Sequence, residues 1–297
     1  MLKNEISIFF KRGFVWNFEE LPTKSIALDG AVRGPLIDNE NLKYSFDHHE
    51  NCIRHVSNAT CVQVLDAILL GFDSKNYNVY LNDIDADTIA SICLLSYPEI
   101  AKNHEIQSFI RNLGIIDAHG PAYPLPQSFY EKMDGFIFYV MESFDKKNHT
   151  FSESDLEQLV YRCIDNFKIW VNNALVVHKT NEENRTYKIT HQTQKDWIMV
   201  TSDFYIFDLL YELGHNKIIF WKEAINNTYS YTIGKKSEFV SFPIRKILES
   251  LNKIEEGWGG GSTIGGSPRL QDGSRSKIPP EKLIELVNEI LDFENEK

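Results

Sequence analysis

Three short apolar runs in the first half of the chain are each followed by acidic or imidazole side chains, and this pattern limits the fold more than any other feature. The runs and the residues that follow them are 25–28 with Asp29, 44–46 with Asp47, His48 and His49, and 77–81 with Asp85 and Asp87. Runs of this length and composition are typical of β-strands, whereas residues 56–70 and 88–95 have helical spacing. Strands that alternate with helices predict an α/β fold with a mostly parallel sheet.

The polar residues at the strand ends are expected to lie together, because a parallel sheet binds ligands beyond the carboxyl ends of its strands. Residues 114–116 are predicted to form one more short strand, which presents Asp117, and His119 follows two residues later. Carboxylate oxygens and imidazole nitrogens suit Mn²⁺ or Mg²⁺, ions that can bridge a phosphate and activate a water molecule. The sequence therefore predicts a divalent metal site and chemistry on phosphate esters.

Net charge and hydropathy narrow the class of partner. The 297 residues carry a formal net charge of -11, which disfavours extended binding to long nucleic acid but allows a small anionic substrate in a local pocket. No apolar stretch approaches the roughly 18 residues that would indicate a membrane span, and the four cysteines show no paired metal-binding spacing. We expect a cytoplasmic protein without a membrane partner. The oligomeric state stays open, and a homodimer is compatible with the sequence.

The later part of the chain changes from helical to renewed β-type sequence. Residues 126–178 are mainly helical, and Ser152 is placed to cap a helix that starts at residue 153. The polar segment 180–185 is a linker candidate, and the runs beyond it that are predicted as strands are 197–200, 217–221 and 229–233. We therefore expect three parts, namely a metal-binding catalytic domain at 1–125, a helical connector at 126–185 and a smaller α+β domain for substrate binding at 186–297.

The acidic motifs resemble those of the DHH phosphoesterase superfamily, which includes single-strand exonucleases, phosphodiesterases of short oligonucleotides and cyclic dinucleotides, and manganese pyrophosphatases. The triplet Asp47-His48-His49 matches the one that gives the family its name. Residues 85–91 look like the first family motif, 28–30 like the second and 114–117 like the fourth. Because the first motif follows the triplet here, the chain resembles a circularly permuted member, and permutation can leave the assembled ligands together.

The resemblance implies two Mn²⁺ ions, with Mg²⁺ or Co²⁺ as alternatives. The implied metal ligands are Asp29 as the bridge, with Asp47, His48, Asp85, Asp87 and Asp117. In addition, His49 would contact the scissile phosphate, and Asp47 would orient His48 or supplement the ligands. The leading histidine of the first motif corresponds to Leu81, which cannot bind a metal. The candidate substitutes for it are Asn82, Asp83 and His119.

A glycine tract near the C-terminus resembles the substrate-binding motif of the same family, where backbone amides approach a phosphate or a terminal nucleotide. The tract contains Gly259, Gly260, Gly261 and Ser262, and the serine stands where the family commonly has a histidine. Glycines permit a close approach of the backbone to an anion. Two arginines, Arg269 and Arg245, are candidate phosphate clamps. A loop without a ligand is the structural alternative for this tract.

These features together predict a metal-dependent phosphohydrolase for short oligonucleotides, dinucleotides or small phosphate esters. Two cations would activate a water molecule, and no covalent protein nucleophile is required. Hydrolysis of pyrophosphate or polyphosphate is one alternative, although it would favour more Lys and Arg around the glycine tract. A nucleotide-binding sensor is another alternative, because Leu81 removes one expected metal ligand.

Overall fold

The computed structural model describes residues 3–53, 56–141, 151–177, 185–192, 196–270 and 272–295. The chain divides into two compact units, Met1–Thr180 and Asn181–Lys297. Both units combine β-strands and α-helices, so the protein is of mixed α/β class. The division falls at the first residue of the predicted linker 180–185, of which residues 180–184 lie outside the described part of the chain.

A five-stranded sheet forms the centre of the first unit. Its strands are β1 (Ile6–Phe10), β2 (Ser25–Leu28), β3 (Leu36–Asp38), β4 (Lys43–Phe46) and β5 (Tyr77–Leu81), in the order β1-β5-β2-β4-β3. Neighbouring strands are parallel except β3, which pairs antiparallel with β4 at one edge. All four residues of β2 are buried, as expected for a central strand that is covered on both faces. The predicted mostly parallel sheet is confirmed here. The carboxyl ends of β2, β4 and β5 lie at the same end of the sheet.

Helices of the first unit follow the strands in the predicted alternation. Those in its described residues are α1 (Thr60–Leu69), α2 (Ala86–Ser96), α3 (His104–His119), α4 (Gln127–Gly135) and α5 (Glu153–Asn172). The predicted cap of α5 is confirmed, because Ser152 forms a capping box with Asp155. The helix ends at Asn172 rather than at residue 177, since Ala174 and Leu175 both have a positive φ of 55° and leave the helical conformation.

The start of α1 is fixed by a residue from another helix. The sequence predicts a Ser or Asn cap at residue 57 or 58, but the helix begins at Thr60, and Ala59 before it makes no side-chain cap. Instead, the Asp87 carboxylate of α2 accepts hydrogen bonds from the backbone amides of Thr60 at 3.0 Å and Cys61 at 2.8 Å. Amides in the first turn of a helix lack intrahelical partners, so a tertiary contact replaces the local cap.

The short strand predicted at 114–116 is wrong, because these residues lie inside α3. Burial of Ile106, Phe109, Ile110, Leu113 and Gly114 continues at helical spacing along it. At Gly114 the two helices approach closely, since an added Cβ would lie 2.5 Å from Cγ2 of Val62 in α1. Asp117 therefore belongs to the last turn of a helix and not to a strand end.

The segment predicted as a connector, 126–185, contributes its described helices to the core of the first unit. A π-helical turn, Phe136–Val140, continues α4. Phe136 and Trp170 of α5 are buried in the same hydrophobic cluster as Ile26 and Val79 of the sheet. Their rings pack edge to face with centroids 5.6 Å apart, a favoured aromatic geometry. These helices therefore extend the core of the sheet.

The second unit is built on a six-stranded sheet. Its strands are β6 (Lys188–Gln192), β7 (Ile198–Thr201), β8 (Lys217–Ala224), β9 (Thr228–Lys235), β10 (Gly259–Gly260) and β11 (Ile264–Gly266), in the order β10-β11-β9-β8-β7-β6. Only the β7–β8 pair is parallel among the described pairs. The runs predicted at 197–200, 217–221 and 229–233 correspond to β7, β8 and β9.

The helices described in the second unit are α6 (Phe207–Glu212), α7 (Ile244–Asn252) and α8 (Pro280–Asn295). Its core joins Trp197 and Tyr231 of the sheet region with Ile247 of α7 and Leu283 of α8. The sequence also predicts a helix at 202–213, between β7 and β8, and α6 is shorter than that, while α7 was not predicted. In neither unit do the described residues include a helix with the length and apolar character needed to cross a membrane.

Candidate metal centre

Two of the predicted sites lie at the ends of adjacent parallel strands. Asp29 directly follows β2 and adopts a positive φ of 50°, which is uncommon for a residue other than glycine and often marks a functional position. The next residue is held in place, because Nδ2 of Asn82 donates to the carbonyl of Gly30 at 2.8 Å. The triplet 47–49 follows β4, which pairs with β2 up to Leu28 and Phe46. This pairing brings the triplet beside Asp29.

Helix ends supply the other predicted carboxylates. Asp85 caps α2 and accepts a hydrogen bond from the backbone amide of Thr88 at 2.8 Å. Asp87 lies in the first turn of the same helix, while Asp117 lies in the last turn of α3. Two helix ends therefore direct acidic side chains to the region of Asp29 and His48.

His48 lies at the centre of this region and is fully buried. Its Nε2 atom is 2.8 Å from Oδ2 of Asp117 and 3.4 Å from Oδ1 of Asp29. Despite these distances, neither His48 nitrogen nor Asp117 Oδ2 has an aligned hydrogen bond with any described residue. Buried polar atoms in native proteins nearly always have a partner. A cation bound by Nε2 of His48 and Oδ2 of Asp117 would satisfy these two atoms, so the donors present fit a divalent metal ion.

The donor atoms form two overlapping groups with His48 in common. One group is Asp29, His48 and His49, and the other is His48, Asp87 and Asp117. Within each group the donor atoms lie within 4.8 Å of one another. Mixed carboxylate and imidazole donors are compatible with Mn²⁺ and related divalent ions.

The pKa shifts also fit a cation site, because several carboxylates are buried close to one another. Burial raises the pKa of Asp85 and of Asp87, and the charges of Asp29 and Asp117 raise both values further. Burial also raises the pKa of Asp29, but contacts with His48 and the charge of His49 outweigh it and lower the pKa. For His48 burial lowers the pKa, whereas Asp117 and Asp29 outweigh burial and raise it. The region thus contains more carboxylates than imidazoles, and the buried imidazole of His48 lies among them.

Asp47 holds His49 rather than His48. Its Oδ1 atom lies 2.9 Å from Nδ1 of His49 and accepts from the backbone amide of the same residue at 3.1 Å. Oδ2 accepts from the amide of Gly34 at 2.8 Å. Burial raises the pKa of Asp47, but these hydrogen bonds outweigh it and hold the pKa at about 2. Asp47 is therefore an ionised carboxylate that orients His49, whose side chain is 42% exposed.

Leu81, the position that corresponds to the leading histidine in the DHH resemblance, belongs to the hydrophobic core. Leu81 is fully buried in the main cluster of the first unit. Of the candidate substitutes, Asn82 contacts the Gly30 carbonyl, Asp83 accepts from the amide of Ile84, and His119 stacks on Tyr123. None of the three is in a metal-type group of the described residues.

Two threonines that the sequence reasoning missed contact Asp29. The Thr60 hydroxyl donates to Asp29 Oδ1 at 3.1 Å, and the Thr88 hydroxyl is 3.4 Å from Asp29 Oδ2. Both threonines are buried at the starts of helices. Their spacing forms no motif, so the only available signal was their position shortly after predicted strand ends.

A pocket of about 290 Å³ in the second unit contains part of the predicted glycine site. Gly260, Gly261 and Arg269 line it, together with Arg275, which the sequence reasoning missed. Gly260 has a φ of +147°, and an added Cβ would lie 2.3 Å from Cα of Gly265, so only glycine fits there. Neither arginine side chain forms an ion pair or hydrogen bond within the described residues. Burial and the charge of Arg269 lower the pKa of Arg275.

The other predicted substrate residues lie outside this pocket lining, namely Gly259, Ser262 and Arg245. The Ser262 hydroxyl donates instead to the carboxylate of Glu238. That hydrogen bond lowers the pKa of Glu238, and the charge of Arg245 lowers it further. Ser262 and Arg245 therefore interact with a carboxylate of the same unit.

Comparisons with known proteins assign no family to the chain. No model of a protein family matches the sequence, and no curated protein matches it significantly.

Proposed function

We propose that the protein is a divalent-metal-dependent phosphoesterase that hydrolyses short oligonucleotides, dinucleotides or small phosphate esters. The observation that carries this proposal is the convergence of His48, Asp29 and Asp117, in which His48 and Oδ2 of Asp117 lack aligned hydrogen bonds among the described residues. A cation would compensate both the unsatisfied atoms and the surplus of negative charge. The resemblance of the motifs to those of DHH phosphoesterases supports the same proposed activity.

The residues that would hold two Mn²⁺ ions are Asp29, His48, Asp85, Asp87 and Asp117. When bound, such ions lower the pKa of a water molecule and offset the negative charge that grows on the phosphoryl oxygens. The donor group of His48, Asp87 and Asp117 supports one cation position without His49, whereas Asp85 is in neither donor group of the described residues. Mg²⁺ and Co²⁺ are the alternatives to Mn²⁺ in this proposal.

His49 has the properties of a group that contacts the phosphate. The hydrogen bond with Asp47 raises the pKa of His49, burial opposes it, and the charge of Asp29 raises it again. The net effect raises the pKa of His49 above its usual value. Because Asp47 occupies the Nδ1 side, Nε2 is the atom that remains to donate a hydrogen bond or a proton to a phosphate oxygen.

The pocket of the second unit supports an anionic substrate. Two guanidinium groups that have no carboxylate partner among the described residues, Arg269 and Arg275, line it together with glycine backbone. Arginine binds phosphate through paired N–H donors. In this proposal residues 1–125 carry the chemistry, the described helices of 126–185 complete the core of the same unit, and 186–297 bind the substrate. A cytoplasmic location belongs to the same proposal.

A nucleotide sensor is the second candidate, and the burial of Leu81 favours it. That residue fills the core where the family has a metal ligand, and none of Asn82, Asp83 and His119 replaces it within the described residues. A centre that holds one cation instead of two could keep nucleotide affinity and lose turnover.

One experiment separates the two candidates. Metal-free protein is reloaded with Mn²⁺, Mg²⁺ or Co²⁺ and tested on a panel of dinucleotides, cyclic dinucleotides, short oligonucleotides, phosphomonoesters, pyrophosphate and polyphosphate. We expect metal-dependent hydrolysis that His48→Ala abolishes. Tight nucleotide binding without turnover in any of the three metals would favour the sensor, and turnover that persists in chelator would overturn the metal proposal.

A further inference from the structure

The first residue of α1 contacts the Asp29 carboxylate through its side chain. Thr60 is fully buried, and its hydroxyl lies 3.1 Å from Asp29 Oδ1 and 3.3 Å from the carbonyl of Phe46. A threonine hydroxyl has one proton, and both neighbours are acceptors, so it donates to one of them or shares the proton between the two. This one side chain therefore links the ends of β2 and β4, the two strands that deliver Asp29 and the triplet.

The backbone of the same residue is fixed by a second acidic side chain. The amides of Thr60 and Cys61 donate to the two oxygens of Asp87 at 3.0 Å and 2.8 Å. Since Asp87 anchors the helix start, the backbone of Thr60 is fixed, and its hydroxyl is limited to the few rotamers of a β-branched side chain. The start of α1 thus fixes the position of the Asp29 carboxylate relative to that of Asp87.

Orientation matters at Asp29 because its carboxylate takes part in several interactions. Its Oδ1 atom lies near both His48 and His49, at 3.4 Å and 3.5 Å. A carboxylate can rotate about its terminal torsion, whose minima are broad. A hydroxyl that binds Oδ1 restricts this rotation and leaves the remaining lone pairs directed to the imidazoles. Partners that hold a metal ligand in this way raise metal affinity.

We propose that Thr60 is a positioning residue that orients the Asp29 carboxylate for cation binding. This inference rests on the proposed function, because it assigns Asp29 to the metal centre. Thr88 provides an internal comparison, since its hydroxyl lies at the longer distance of 3.4 Å from the other oxygen of the same carboxylate. A hydrogen bond weakens as the distance grows, so Thr60 has the larger role.

The test measures Mn²⁺ affinity by electron paramagnetic resonance of the unbound ion, without any substrate. Thr60→Val keeps the shape and removes the hydroxyl, Thr60→Ser keeps the hydroxyl, and Thr88→Val is the matched control. We expect Thr60→Val to weaken Mn²⁺ binding by about 10-fold to 100-fold. Thr60→Ser should restore affinity close to that of the unmodified chain, and Thr88→Val should cause a smaller loss than Thr60→Val. Thr60→Ala is the second hydroxyl-free variant if the valine variant fails to fold.

A chelator-treated thermal melt accompanies each titration. Unchanged melting of metal-free Thr60→Val, together with its weaker Mn²⁺ binding, supports positioning rather than a general loss of structure. Equal Mn²⁺ affinity for the unmodified chain and the folded hydroxyl-free variant overturns this inference and leaves the proposed function standing. Absence of Mn²⁺ binding by the unmodified chain overturns the proposed function, and the inference with it.

Discussion

The two units arrange charge in opposite ways. In the first unit, buried carboxylates surround His48, and the two acidic residues at the start of α2 have a raised pKa because negative charge is concentrated there. In the second unit, two arginines without a carboxylate partner in the described residues line a glycine-walled pocket. A chain with a net charge of -11 has carboxylates available for pairing, so their absence at this pocket is informative. The first region suits cations and the second suits anions.

The largest effect should come from the ligands at the centre of the first region. His48→Ala removes the imidazole that the two donor groups share, and Asp29→Asn removes a charge while nearly preserving shape. Both should lower Mn²⁺ affinity by more than the roughly 100-fold that loss of a supporting partner can cost. Calorimetric titration with Mn²⁺ measures this. If the Mn²⁺ affinity of these variants stayed within a few fold of the unmodified chain, the first region would not be a cation site.

A smaller effect is expected for Asp47, which orients His49. Asp47→Asn retains a side chain of the same size but removes the charge that holds the imidazole. We expect kcat to fall by roughly 10-fold to 100-fold, with Mn²⁺ content nearly unchanged. Steady-state kinetics at saturating Mn²⁺ and metal analysis of the same sample provide the measurement. Loss of bound Mn²⁺ in parallel with activity would instead make Asp47 a metal ligand.

The pocket of the second unit should respond in substrate affinity alone. Arg269→Ala and Arg275→Ala should each weaken binding of a phosphorylated substrate by about 10-fold, since a hydrogen bond to a charged group contributes about 1.5 kcal/mol or more. Arg245→Ala is the matched control, because Arg245 lies outside the lining. A KM that rises most in the control variant would place the anion elsewhere. Mn²⁺ affinity should stay constant in all three variants.

The smallest effect concerns pH and the stability of the metal-free protein. The pKa values of Asp85 and Asp87 are raised in the folded protein. The fold therefore loses stability as pH rises above about 4, the pKa of an aspartate in the unfolded chain. The raised pKa of His48 contributes stability below about 6.5 that is lost as pH rises through the folded value. Both changes have the same sign between pH 5 and 8. The melting temperature in chelator should therefore fall over this interval by a few degrees, at about 2 to 4 °C per kcal/mol.

Mn²⁺ and one substitution sharpen this pH experiment. Bound cations should raise the melting temperature more at pH 8 than at pH 5, because fewer protons compete for the ligands. Asp85→Asn keeps an oxygen that can cap α2 but cannot titrate, so it should flatten the pH dependence. An unchanged slope in this variant would show that other groups control the stability.

The sequence predicted the sheet and the strand-end residues because both depend on local pattern. A parallel sheet brings its carboxyl ends together, so Asp29 and the triplet at 47–49 could be placed near each other before any coordinates were known. Asp117 reaches the same region from a helix end and not from the predicted strand. The apolar pair Ile115-Ile116 resembles a strand, and only packing against α1 shows that the helix continues.

Residues that act through tertiary contacts could not be predicted. Asp87 caps α1 from a different helix, while the local sequence offers Ser and Asn signals that the helix does not use. Thr60 contacts Asp29 across 31 positions of the chain, and no spacing rule connects them. Arg275 joins the glycine pocket only because Ser276 pairs with Tyr229 in β9. Such contacts follow from packing, which local periodicity does not encode.

Gly114 lies where α3 packs closely against α1, and both helices carry residues of the candidate metal centre. A methyl group there would meet Val62 of α1 at 2.5 Å, so any larger residue must push α3 outward. Asp117 lies on α3 one turn further along, and Thr60 starts α1 on the other side of the same contact. A side chain added at Gly114 would therefore change the separation of the helix segments that carry Thr60 and Asp117, the residues beside Asp29 and His48.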